Sequence, residues 1–169
     1  MVDRHHARIL AMQALCQLEV LDADFLSELD AFLSDENPPR AVQDYARALV
    51  EAARTDRAAI DAAIGAAAEN WDVKRMAPVD RNTLRVAVCE LRHRPEVPPR
   101  VVVTEAIEIG KSFGTAESGG FINGVLDAIL RRGEAAGGET TSCEAGVRPD
   151  RTQEQRGSRD ANNNDIASH

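Results

Sequence analysis

Four short patterns in the 169-residue chain carry side chains capable of chemistry: adjacent His5 and His6, the carboxylates Glu105 and Glu108, the GKS run at 110–112, and Ser118 beside two glycines. Glu105 and Glu108 stand at i,i+3 on one helical face, where one could act as an acid and the other as a base. No histidine, cysteine or glycine-rich phosphate loop lies near them in the chain. A solvated or ion-paired helix face is the simpler reading. Neighbours on a helix diverge by about 100°, so His5 and His6 do not form the i,i+4 pair that a metal favours. Lys111 and Ser112 lack the GxxxxGK[ST] spacing of a phosphate loop, and Ser118 has neither a strand-elbow setting nor a base, which suits a helix cap or a phosphate contact. No catalytic residue, metal or cofactor is expected.

Phe121 is a different kind of candidate. In FINGVLDAILRR the residues Ile122, Val125, Leu126, Ile129 and Leu130 recur at i, i+3, i+4, i+7, i+8 and define the apolar stripe of a final helix. Phe121 falls roughly 105–110° from the centre of that stripe, at or past its edge. Gly120 and Gly124 leave the adjoining face flat enough for another backbone to approach. Such a ring can stack a single-stranded base or pack against a neighbouring helix; by spacing alone the second is the commoner arrangement.

Behind these residues the pattern is helical throughout. Few aromatics and abundant Ala, Leu, Glu and Arg favour helices over strands. A first helix spans Arg4 to Leu21 and a short second one residues 24–33; the prolines of DENPPR then break the chain. Val42, Ala46, Leu49, Ala53, Ile60, Ile64, Ala67 and Trp71 follow at helical steps, with a gap at Asp56 and Arg57, and predict a single helix of about eight turns. Leu84, Ala87, Val88 and Leu91 form one face of the next helix. Val103, Ala106, Ile107, Gly110 and Phe113 share a face of the one after, which Gly114 would close in a left-handed cap. Residues 133–169 have almost no large apolar side chains and read as a disordered acidic tail outside a domain of residues 1–132.

Charge is distributed unevenly. Residues 1–73 hold 6 Lys/Arg against 14 Asp/Glu, residues 74–132 hold 10 against 7, and the tail holds 4 against 7, so polar binding is expected on the second half. The net charge of −8 argues against a generic nucleic-acid coat, whose affinity comes from neutralising phosphates. Cys16 and Cys89 sit in apolar-periodic segments, as reduced thiols in a cytoplasm do. Neither a signal peptide nor a membrane span is expected.

Residues 79–132, VDRNTLRVAVCELRHRPEVPPRVVVTEAIEIGKSFGTAESGGFINGVLDAILRR, with HARILAMQALCQLEV near the start, resemble the bacterial transcription antitermination factor NusB family. The resemblance covers roughly residues 4–132 and is most specific in the second half. It implies an all-α bundle of two three-helix subdomains that binds boxA RNA of ribosomal RNA transcripts together with the ribosomal protein NusE, for assembly of an antitermination complex on RNA polymerase. By position it implies RNA contact at Arg4, His5, His6 and Arg8 and at Lys111, Glu117, Ser118 and Phe121, with a NusE-facing surface that includes Asp80 and Arg81. His5 and His6 stand where the family tends to carry arginine, which reduces the electrostatic share of RNA affinity. Cys16 replaces a common tyrosine, Thr104 an asparagine, and Gly110 an alanine, the last at about 1 kcal/mol if the position is exposed. Two other readings remain at this point: a helical protein-binding module without RNA recognition, and a NusB-like domain related to ribosomal RNA cytosine methyltransferases. The sequence does not decide between a monomer and a homodimer.

Overall fold

The computed structural model describes residues 3–21, 23–69 and 71–133; the tail expected from residue 133 therefore lies, beyond its first residue, outside the described residues. Among these the chain forms seven α-helices and no strand: α1 Arg4–Leu21, α2 Ala23–Ser34, α3 Arg40–Thr55, α4 Arg57–Ala67, α5 Pro78–His93, α6 Pro99–Phe113 and α7 Ser118–Arg132, with a 3₁₀ turn at Val73–Arg75. Helices α1 to α3 pack on one another, as do α5 to α7, while α4 leans on α5 and α7. Helix α5 also contacts α1 and α3 and so joins the two three-helix groups.

The predicted eight-turn helix is two helices, α3 and α4, meeting at Asp56. Its apolar stripe does continue, since Ala53 and Ile60 are both buried. A stripe records which side faces the core, however, and carries no information on a bend in the axis. At the gap, Asp56 turns its carboxylate to His93 at 2.6 Å. The bend lets α3 lie on α1 and α4 on α7. Trp71 falls beyond α4 and is 59% exposed, so it is not part of that stripe.

Helix α5 is buried nearly all round. Leu84, Ala87 and Val88 are in the core as predicted and Leu91 is half-buried, but Asn82, Thr83, Arg85 and Glu90 are buried as well. On α6 the buried positions are Val102, Ala106, Ile109 and Gly110, while Val103 and Ile107 are half-buried and Phe113 is exposed. The VVV run supports two neighbouring stripes equally, and contact with α5 selects the other one.

Two glycines act by allowing close approach. A Cβ on Gly110 would come within 2.5 Å of Ile122 Cδ1 on α7, so this buried position is not the exposed one assumed from the sequence. Gly114 has φ −99° and ψ −150°, not a left-handed cap; the space a side chain would need there is taken by the Ser118 hydroxyl and the Gly110 carbonyl. The left-handed cap is Gly133, at φ 69°, after α7.

Candidate RNA and partner interface

The start of α1 meets the start of α6. Arg4, His5, Pro98, Val101 and Glu105 border an open depression there of about 580 Å³. His5 is exposed, with Nδ1 2.7 Å from Glu105 Oε2. His6 is half-buried, and its backbone N–H donates to Asp3 Oδ1. The Arg4 guanidinium lies 5.4 Å from the centre of the Tyr45 ring, which Arg94 also approaches at 5.0 Å, cation–π distances in both cases.

Arg8 corrects the expectation. Its side chain is 4% exposed; Nε and Nη2 donate to Glu90 at 2.7 and 2.9 Å, and Nη1 lies 3.2 Å from Glu105. Burial works against the guanidinium charge, but the hydrogen bond and charge of Glu90 more than offset it and raise the Arg8 pKa. Glu90 is fully buried and also accepts from the Tyr45 hydroxyl at 2.5 Å. Burial, then Glu90, holds the Tyr45 phenol far above its ordinary value. Arg8 therefore joins α1 to α5 and does not face solvent.

The second cluster lies at the α6–α7 junction. Lys111 is exposed, pairs with Glu108 at 2.9 Å, and passes its stem over Gly119. Glu117 is exposed and accepts from the Thr115 hydroxyl at 3.0 Å. Ser118 is a second correction: it is 1% exposed, and its hydroxyl accepts the Thr115 N–H at 2.8 Å. It closes the loop from within. Phe121 is half-buried against the core and meets Trp71 edge to face, 5.9 Å between ring centres at 66°.

Trp71, Phe121, Met76 and Ala77 wall a mostly apolar cleft of about 400 Å³. Asp80 lines it, is 9% exposed, and has no protein hydrogen-bond partner for Oδ1. Arg81 points elsewhere. It donates to Glu19 at 2.8 and 2.6 Å and to the Met76 carbonyl at 2.7 Å, which fastens the connector carrying Trp71 to α1. Arg85 completes this network by pairing with Asp61 and Glu19. Burial alone would raise the Glu19 carboxyl, but hydrogen bonds from Arg81 and Arg85 bring it down from an ordinary 4.5 to about 2.

Sequence reasoning missed Trp71, Tyr45, Glu90 and Glu19. Trp71 is the only tryptophan in the chain, a signal that was available, but the apolar spacing assigned it to the core.

Comparison with known proteins agrees with this architecture. Residues 5–131 match the NusB family model. The transcription antitermination protein NusB of Anaeromyxobacter dehalogenans is 46% identical over 138 residues, covering 78% of this chain and 96% of that protein. NusB of Myxococcus xanthus is 41% identical over 131 residues, 75% of this chain and 93% of that one. Among solved structures, T. maritima NusB superposes with a TM-score of 0.71 at 36% identity, covering 78% of this chain and 93% of that one. The antitermination factor NusB in a complex with NusE and dsRNA gives 0.68 at 26% identity, covering 76% and 96%. The chain belongs to the NusB family.

Proposed function

We propose that this protein is a transcription antitermination factor of the bacterial cytoplasm that holds boxA-like RNA of ribosomal RNA transcripts together with NusE. It acts by binding, without catalysis, as a nucleus on which an antitermination complex forms at RNA polymerase. The observation that carries the reading is the likeness to a NusB solved with NusE and dsRNA, together with relatives named as antitermination proteins. RNA would meet Arg4, His5 and His6 at the start of α1, and Lys111, Glu117 and Phe121 around the start of α7. Arg8 and Ser118 support these contacts from within, since both are buried. On α7, Gly120 and Gly124 have open space above them and lie by helical angle between Gly119, over which the Lys111 stem passes, and Phe121, where a backbone can come close.

One observation favours a second reading, a protein-binding module with little RNA recognition: Glu90 and Glu105 neutralise Arg8, and Glu105 also faces His5. Binding of the purified chain to a boxA-like RNA and to a scrambled RNA, each with and without NusE, separates the two. A sequence preference that emerges with NusE supports the proposal. NusE binding without any RNA preference supports the second reading.

A further inference from the structure

We infer that Glu105, midway along the exposed side of α6, is a specificity-determining residue of the RNA site: its free carboxylate oxygen accepts from the exocyclic amino group of an unpaired base and disfavours uracil there. The inference rests on the RNA-binding reading above and names what that site selects. The two RNA clusters lie at opposite ends of α6: Arg4 and His5 border its start, and Lys111 is in its last turn. From Arg100 to Lys111 is about 16 Å of helix at 1.5 Å per residue. Arg100, Val101, Thr104, Glu108 and Lys111 are exposed and Glu105 is half-buried. By helical angle all six fall within an arc of about 140°. A strand that touches both clusters therefore crosses this face.

The face has cations only at its ends. Residues 101–110 contain no Lys, Arg or His and carry two carboxylates, Glu105 and Glu108. Phosphates over that stretch would be repelled, so the strand turns its backbone outward there and presents base edges to the helix. The two carboxylates differ. Glu108 is exposed and pairs with Lys111. Glu105 is fixed from one side: Oε2 lies 2.7 Å from His5 Nδ1 and 3.2 Å from Arg8 Nη1, whereas Oε1 accepts no hydrogen bond among the described residues. Glu105 and Val101, one turn apart, line both the depression bordered by Arg4 and a second one of about 420 Å³ beside Arg100. Val101 is 38% exposed and offers an apolar ledge to a base face next to that oxygen. An ionised carboxylate only accepts hydrogen bonds. Adenine, cytosine and guanine each carry an amino group on the Watson–Crick edge, while uracil has two carbonyls flanking one N–H and meets a carboxylate least well. Hydrogen bonds to a charged acceptor are the strong ones, so one such contact separates amino-bearing bases from uracil by about tenfold.

The test uses the full chain with NusE and a boxA-like RNA whose amino groups are deleted one at a time: cytosine to uracil, adenine to purine, guanine to inosine. One deletion should weaken binding about tenfold, and in Glu105→Ala the same deletion should cost less than about twofold. Because a negative charge is removed, Glu105→Ala should bind scrambled RNA at least as tightly as the unaltered chain does. A purely structural role would weaken both RNAs alike. Glu105→Gln, which keeps the size and adds a donor, should accept uracil at the sensitive position, and decides the matter if the alanine variant does not fold. The inference is overturned if no amino deletion weakens binding, if the sensitivity persists in Glu105→Ala, or if Glu105→Gln still refuses uracil. Equal loss of boxA-like and scrambled RNA in folded variants overturns it as well. An undiminished boxA preference in Glu105→Ala removes this inference and leaves the RNA-binding reading standing; no preference in the unaltered chain removes both.

Discussion

Tyr45 and Trp71 stand in two versions of one chemical setting. Around Tyr45 the ring, the carboxylate of Glu90 and the guanidinium groups of Arg4, Arg8 and Arg94 all belong to the chain. Around Trp71 the rings and Asp80 are present, and among the described residues no cation lines the cleft. The first setting is closed and holds helices together; in the second, Asp80 Oδ1 has no hydrogen-bond partner among the described residues. Residue types alone do not separate a structural element from a binding element. The difference lies in whether a buried charge finds its partner within the fold.

The comparison breaks most readily at Arg8. Arg8→Ala would leave Glu90 buried without its guanidinium, and denaturant unfolding should register a loss of about 3–5 kcal/mol. A loss under about 1 kcal/mol with strongly weakened RNA binding would instead return Arg8 to the RNA surface. The Glu19 network should respond to acid. Because its folded pKa is lowered, Glu19 contributes stability that is complete above its ordinary 4.5 and is lost as pH falls toward about 2. That contribution is about 3 kcal/mol at most, and in Arg85→Met, which leaves Glu19 only Arg81, the slope of stability against pH between those values should flatten.

Phe121 gives a smaller, divided effect. Phe121→Ala should weaken boxA binding by about 1–3 kcal/mol if a base stacks on the ring, and should cost less stability than the 3–5 kcal/mol typical of a fully buried phenylalanine. Unfolding and RNA affinity measured on the same variant distinguish these. A destabilised protein whose folded fraction binds RNA normally would remove Phe121 from the RNA site. Asp80→Asn should change stability least, within about 1 kcal/mol, since loss of the dipole interaction is set against relief of an unpaired charge. A larger loss would mean that the Trp71 cleft is closed internally after all.

Much of the fold was legible because helical periodicity is a local signal. The stripe Ile122, Val125, Leu126 and Ile129 is buried as its spacing required. Helix α5 was less legible. Arg85 and Glu90 read as surface residues in any hydropathy pattern, and only their pairing with Asp61, Glu19 and Arg8 makes their burial tolerable. The site was read unevenly for the same reason. Arg4 and Arg8 lie one turn apart on the same helix, yet the partner that withdraws Arg8 is 82 positions away. Spacing within a helix cannot reveal that. Ser118 reads in sequence as a helix cap or a phosphate contact, but α7 has Glu117 at its N-cap without a side-chain cap bond. The Ser118 hydroxyl accepts from the Thr115 N–H instead, and its burial depends on how tightly α6 and α7 approach.

That approach also sets a rule for sequence drift. With a glycine at 110, Ile122 keeps its Cδ1 where a Cβ would otherwise be, and Ile122 is fully buried with little room to turn aside. The two positions are therefore expected to covary: a relative with alanine at the equivalent of Gly110 should carry a shorter side chain, such as valine, opposite it. Gly110→Ala alone should be a deleterious step despite the higher helix propensity of alanine. Ile122→Val introduced first would make it permissible, so the order in which the two substitutions arise matters.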